Sequence, residues 1–353
     1  MAGVDLVVTN FNANFTGVSA TAAAVARAQQ SKYDMRLAGY PLPGCAEPVS
    51  RTASLVLARN GPATRPFQIW HVRRNPEMQM AMFVRDILRF PIRIVFTSAA
   101  QRRHSAWPRF LISRMDAIIA TTDKAASYVD NVWSVVTHGV DTLVFHPAKS
   151  RADSWVATGY PGKRGIACIG RIRPEKGTDR FVDTAIEVLA NTVDVTALII
   201  GRAKPEHQSF LKELKARVAR AGMQKRILFI GEVPPGELPM LVRSLSLLVA
   251  LPRYEGYGMT PLEAMASGVP IIASDTGHFR EFVGQGEAGY VLASTDGNSV
   301  SRVAIDILGN QKRYDTLAAQ CVTRAAKNYS IDKEVSRISW VYERLWDTNR
   351  FDG

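Results

Sequence analysis

Two carboxylates eight residues apart, Glu255 and Glu263, bracket the segment Gly256-Tyr257-Gly258-Met259. The apolar run 247–251 before them reads as a buried parallel strand, ended by Pro252. Two glycines allow the backbone to come close to a bound group. Thr260-Pro261-Leu262-Glu263 then reads as a helix opening, with Thr260 as N-cap, Pro261 first in the helix and Glu263 third after the cap. A glycine turn leading into a helix N-terminus favours an anion, because unpaired N–H groups and the helix dipole converge on it. Alone, Glu263 is a capping-box residue. Glu255, at a strand's C-terminal edge where open α/β sheets take ligands, makes the pair suited to sugar and ribose hydroxyls.

A second set of residues carries positive charge. Arg171 and Lys176 lie in Gly170-Arg171-Ile172-Arg173-Pro174-Glu175-Lys176-Gly177, a loop following another apolar run. Alone, two cations there read as a solvated loop; beside the E-x7-E pair they are placed to hold both phosphates of a diphosphate. Glu175 reads as an ion-pair partner within the loop. No D-x-D triplet and no His, Cys and carboxylate cluster at ligand spacing occurs, so the expected chemistry uses no metal and no cofactor. Near the start, Phe15-Thr16-Gly17-Val18-Ser19 forms a strand-to-helix turn in which Gly17 could approach a ligand.

These residues need a scaffold, and the elements supply one twice over. Strands read at 4–9, 68–72, 93–97, 117–120 and 134–137, then again at 165–170, 196–201, 227–230, 247–251, 270–273 and 290–292, with helical segments between. Two such blocks predict an α/β protein of two doubly wound domains. The segment 76–93 has a helical apolar face and a row of Arg85, Arg89 and Arg93 at four-residue spacing. That row is either a solvated face or a contact for an anionic surface. Gly201-Arg202 and Ile230-Gly231-Glu232, at strand ends, are candidate walls for a nucleotide base.

The 353 residues are 46% hydrophobic, enough for two domains of ordinary size. No run is long enough to span a bilayer and the start lacks a signal-peptide pattern, so a cytoplasmic protein is expected. Three scattered cysteines read as reduced thiols. The net charge is +12, and residues 51–114 hold 12 Lys and Arg against two acids, Glu77 and Asp86. The partner is therefore acidic: a membrane surface, an acidic substrate or nucleic acid. No aromatic–basic platform favours nucleic acid, and no G-x-G-x-x-G follows the first strand of either block, which disfavours a dinucleotide dehydrogenase.

The E-x7-E pair with E-G-Y-G, P-L-E-A-M-A-S-G-V-P-I-I-A-S and G-R-I-R-P-E-K-G closely resembles the retaining glycosyltransferases of family four. Segments 67–75 and 105–123 look most like bacterial lipopolysaccharide-core mannosyltransferases. The resemblance implies the GT-B architecture, two Rossmann-like domains facing a central cleft. It places an acceptor-side domain at 1–148, a nucleotide-sugar domain at 149–331 and a terminal helix, 332–353, crossing back on Trp340, Tyr342, Leu345 and Trp346. It implies catalytic roles for Arg171, Lys176 and Glu255, with Glu255 on the donor sugar and Glu263 on the ribose. Gly17, Gly256, Tyr257, Gly258, Met259 and Thr260 would complete the donor site. The family's T-x-H histidine is absent from Phe96-Thr97-Ser98-Ala99, leaving His71 and His104 as substitutes. The implied reaction moves mannose from GDP-mannose to an acidic lipopolysaccharide inner-core glycolipid at the inner face of the cytoplasmic membrane. A UDP-sugar donor, or another glycolipid or small acceptor, stays open.

Overall fold

Each apolar run of the sequence becomes a strand of a fully parallel sheet. A computed structural model describes residues 3–348. They fall into two units, Met1–Gly139 with Tyr329–Gly353, and Val140–Asn328. The first sheet holds β1 (Leu6–Asn10), β2 (Met35–Gly39), β3 (Gln68–Val72), β4 (Ile92–Ser98), β5 (Ala117–Ala120) and β6 (Val132–Val135). Its order is β2-β1-β3-β4-β5-β6. The second holds β7 (Arg164–Ile169), β8 (Val195–Ile200), β9 (Ile227–Gly231), β10 (Leu247–Ala250), β11 (Ile271–Ser274) and β12 (Gly289–Leu292), in the order β12-β11-β10-β7-β8-β9. Helices cover both faces, which is why the inner strands are apolar without alternation. Trp70 and Ile69, neighbours on β3, are both fully buried, one in each of the two cores that sandwich the first sheet.

Strand order reverses between β1 and β3 in the first unit, and between β7 and β10 in the second. At such a switch point the loops leaving two adjacent strands diverge to opposite faces and leave a crevice for a ligand. The switch points therefore select loops 11–16 and 73–74 in one unit, and 170–177 and 251–258 in the other.

The helix Ile331–Thr348 belongs to the first unit and completes its core. Tyr342 Oη lies 2.5 Å from His71 Nδ1, Trp346 Nε1 donates to the Phe67 carbonyl at 3.0 Å, and Arg65 pairs with Glu343 at 2.8 Å. Trp340, expected among these contacts, points outward at 51% exposure, with the Arg344 guanidinium over its ring. Residues 349–353 of the expected terminal helix lie outside the described residues. The first unit ends at Gly139, not 148, because Arg243 holds the next stretch to the second unit through the Val144 carbonyl and His146.

Two further expectations are corrected. The short edge strand β2 carries an exposed Arg36 and was not among the expected strands. The arginine row does not exist as a row. The helix Asn75–Met82 widens into a π-turn at Phe83–Ile87, and Arg89 leaves it at φ 55°. Arg85 is 12% exposed and bound to Asp86 and Asp116, while Arg93 pairs with Asp116 at 3.6 Å. These groups line an open recess of about 520 Å³ at the N-terminal end of β4, away from either crevice. Each of its arginines, Arg85, Arg93 and Arg114, pairs with Asp86 or Asp116.

Candidate active site

The second unit's switch point gathers most of the predicted residues, and a network of backbone contacts explains how. The loop after β7 is fastened to the loop after β10 by Arg253. Its N–H donates to the Glu175 carbonyl at 2.8 Å, and its guanidinium reaches the Pro174 carbonyl and both oxygens of Asp179. Gly177 makes the fit possible: at φ 67°, a Cβ there would stand 1.8 Å from the Leu251 carbonyl oxygen. So drawn together, Lys176 Nζ donates to Glu255 Oε2 at 2.5 Å, with both side chains about three-quarters buried. The other oxygen, Glu255 Oε1, accepts from Gly256 N at 3.1 Å. The pair borders a small cavity of about 30 Å³ with Thr260, Pro252 and Phe279. Arg171 is exposed and makes no ion pair among the described residues. Glu175 pairs with Arg173 at 3.7 Å, as a loop-internal partner.

The helix after β10 starts two residues earlier than expected, at Met259, with Gly258 at φ 92° as its N-cap. Thr260 and Glu263 thus form no capping box, and no side-chain hydrogen bond caps this end. Gly258 is required sterically, since a Cβ would lie 2.1 Å from the Phe279 ring. Tyr257 is buried, stacked on His278 at 5.1 Å and edge-on to Phe282, which fixes the turn. The N–H groups of Gly258, Met259 and Thr260 donate to no acceptor among the described residues. Glu263 is part-buried and its carboxylate has no hydrogen bond or ion pair there either. Burial alone pushes its carboxyl up to about 7. Gly201 follows β8 and Gly231 ends β9, and Arg202 faces Glu232 at 3.6 Å on the exposed rim.

In the first unit, Gly17 opens the helix Gly17–Gln29, whose N-cap Thr16 accepts from Ser19 N. A Cβ on Gly17 would meet nothing within 4 Å, so the space above this turn is open. The two candidate histidines differ. His71 is fully buried, with one ring nitrogen on Tyr342 and the other on Thr97 at 2.7 Å. Burial lowers its pKa well below the ordinary value, giving a neutral ring with no free nitrogen. His104, in the loop after β4, has a buried Nε2 without a partner, and burial together with Arg102 lowers its pKa.

Residues that the sequence did not single out surround these. Arg74 bridges Asn10, Thr16, Ser19 and Glu77 across the first crevice, and Arg73 lies beside it. The doublet in His71-Val72-Arg73-Arg74, leaving a strand, was the available signal. Among the described residues no three His, Cys, Asp or Glu side chains gather as a metal set, and no helix is long and apolar enough to cross a membrane.

Comparison with known proteins identifies the family and the fold. Residues 150–327 match the family described as glycosyl transferases group 1. The chain is 41% identical over 346 residues to the lipopolysaccharide core biosynthesis mannosyltransferase LpsB of Rhizobium meliloti (strain 1021), covering 97% of this chain and 98% of that protein. It is 38% identical over 349 residues to the mannosyltransferase LpcC of the same description from Rhizobium leguminosarum bv. viciae, covering 98% of each. Among solved structures, Anabaena HepE in complex with UDP and glucose superposes with a TM-score of 0.79 at 14% identity, over 97% of this chain and all of that one.

Proposed function

The chain belongs to the group 1 glycosyl transferases and has the GT-B fold, and from that premise we propose that it transfers mannose from GDP-mannose to an acidic inner-core glycolipid of lipopolysaccharide, with retention and without a metal. The observation that carries this reading is the convergence at one switch point of the Lys176–Glu255 pair with three N–H groups and a carboxylate that have no partner among the described residues. Mannose and the lipopolysaccharide core come from the names of the two relatives.

In this reading Arg171 and Lys176 take the diphosphate oxygens, together with the N–H groups of Gly258, Met259 and Thr260. Their fixed positive charge offsets the negative charge that grows on the leaving phosphate as the bond to the anomeric carbon breaks. Glu263 accepts hydrogen bonds from the ribose hydroxyls, which supply the donors its buried carboxylate lacks. Glu255, held by Lys176, orients the sugar. The acceptor oxygen bonds to the anomeric carbon on the face being vacated, and its proton passes to the departing phosphate oxygen, so no protein base is required. Gly17 leaves room at the first unit's crevice for the acceptor or the diphosphate.

Docking to an anionic membrane surface is supported by the helix Ala106–Ser113 and the loop before it. Trp107 and Phe110 are stacked at 5.6 Å, each about half exposed, among exposed Arg102, Arg103 and Arg109, none of which has an ion pair among the described residues. Aromatic rings at the headgroup level with arginines around them suit an interfacial contact.

Labelled GDP-mannose and core-truncated lipopolysaccharide should give a mannosylated product in the presence of EDTA, inhibited by GDP. Product from UDP-sugars alone, or activity lost in EDTA and restored by magnesium, would overturn the donor or the metal assignment. Arg171 is exposed, so Arg171→Ala should leave Tm unchanged while costing about 2–4 kcal/mol in the transition state. Unaltered turnover would remove Arg171 from the diphosphate site.

A further inference from the structure

The first unit's crevice contains two adjacent arginines in opposite circumstances. Arg74 has partners on both terminal nitrogens: Nη1 donates to Asn10 Oδ1 at 3.1 Å and Glu77 Oε1 at 3.0 Å, and Nη2 to Thr16 Oγ1 at 3.3 Å and Ser19 Oγ at 2.9 Å. Arg73 does not. Its Nε and Nη1 are buried and have no hydrogen-bond partner among the described residues. Glu77 and Glu334 favour its charge from nearby, but neither accepts a hydrogen bond from Nε or Nη1. Glu77 already accepts from Thr9 Oγ1 at 3.0 Å, Phe11 N at 3.1 Å and the Arg73 N–H at 2.8 Å, besides Arg74. Glu334 spends one oxygen on His138 Nδ1 and the other on Gly139 N, each at 2.7 Å.

A guanidinium whose donors are buried and unmet is costly to the fold, and such groups are rare unless a ligand meets them. Arg73 is not alone at this end of the sheet. Ser98, the last residue of β4, and Thr121, just after β5, are 1% and 0% exposed, and the hydroxyls of both lack partners. The two are neighbours, since Thr121 N donates to the Ser98 carbonyl at 3.0 Å. Among the described residues, three adjacent strands thus end in unsatisfied polar groups on the edge where parallel sheets bind ligands. His104, with its own unmet Nε2, follows the same β4.

We propose that the C-terminal rim of β3, β4 and β5 is a binding subsite for an anionic group of the acceptor, a carboxylate or a phosphate, with the part-buried Arg73 as its ligand. The planar fork of an arginine matches either anion through two parallel hydrogen bonds. Ser98 and Thr121 add hydroxyl donors that a neutral apolar pocket would not need. This inference rests on the transferase reading for the identity of the acceptor but not for the existence of the subsite.

The test compares Arg73→Gln and Arg73→Lys with the wild type, using core-truncated lipopolysaccharide in detergent in native, dephosphorylated and carboxyl-reduced forms. Binding is read by titration calorimetry and needs no turnover. Arg73→Gln should bind the native glycolipid at least tenfold more weakly, with Arg73→Lys intermediate. GDP affinity should stay within twofold, and Tm should be unchanged or higher, because the substitution relieves a buried unmet charge. The tenfold difference should vanish on whichever stripped form lacks the anion that Arg73 holds. Equal affinity of wild type and Arg73→Gln for the native glycolipid would overturn the subsite. So would a difference that survives both strippings, or a large fall in Tm that Arg73→Lys does not repair, which marks a structural arginine. Failure of the transferase reading looks different: the wild type makes no product from any nucleotide sugar, whatever the binding results.

Discussion

At the scale of single residues, Glu263 changes most between sequence and structure. As a capping residue, its replacement by Gln would cost stability. In the structure it caps nothing, and burial holds its carboxyl near 7, above the ordinary value of 4.5. Between those two values the folded chain binds a proton that the unfolded chain has lost. Stability therefore falls as pH rises through this window, by up to about 3 kcal/mol. Glu263→Gln should flatten the fall in Tm between pH 5 and 8 and be the more stable protein at pH 8. Ribose hydroxyls donate to the ionised form, so GDP affinity should rise from pH 6 to 8 in the wild type and not in the variant. A wild-type Tm that is level across this range would refute the buried, partnerless carboxylate. The residue types of the second crevice were legible because the chemistry demands them in the loops. Arg73 was not, since an unmet donor becomes visible only once every nearby acceptor has been assigned to another group.

At the scale of elements, the crevice in the second unit depends on two loops whose backbones nearly touch. Gly177→Ala would place a methyl group against the Leu251 carbonyl and force a left-handed φ on alanine, at a cost of about 2–3 kcal/mol. It should lower Tm and GDP affinity together, because displacing the loop separates Lys176 from Glu255. Gly17→Ala is the opposite case: the space is open and the position begins a helix, so Tm should hold. A drop in kcat/KM for Gly17→Ala at constant Tm would report a ligand pressed against that turn, and unaltered kinetics would remove Gly17 from the site. Strand positions were legible wherever burial on both faces gave a continuous apolar run. They failed at β2, an edge strand with an exposed Arg36, where burial makes no such demand on the sequence. Helix starts shifted because local cap patterns competed with tertiary contacts: the Thr260 motif yielded to the position of Gly258 against Phe279.

At the scale of the whole molecule, positive charge in the first half is sorted into two kinds. Arg85 and Arg93 are neutralised by Asp86 and Asp116, whereas Arg102, Arg103 and Arg109, near Trp107 and Phe110 in the chain, have no ion pair among the described residues. Trp107→Ser with Phe110→Ser should abolish sedimentation with anionic vesicles at moderate salt and leave GDP binding intact, while Arg85→Gln should lower Tm without changing sedimentation. Equal vesicle binding by the double variant and the wild type would rule out this helix as the contact. The helix Ile331–Thr348 has a different consequence, concerning time. The core of the first unit takes Val335, Ile338, Val341, Tyr342, Leu345 and Trp346 from a segment translated after the whole of the second unit. At about 5–20 residues per second, the ribosome reaches that segment roughly 10–40 s after Gly139. In the interval the half made first must wait with an open hydrophobic groove, while the half made second can already close. Nascent chains arrested before residue 331 should therefore yield a protease-resistant fragment from the second unit and a chaperone-bound, digestible first unit, and the order of maturation runs against the order of synthesis.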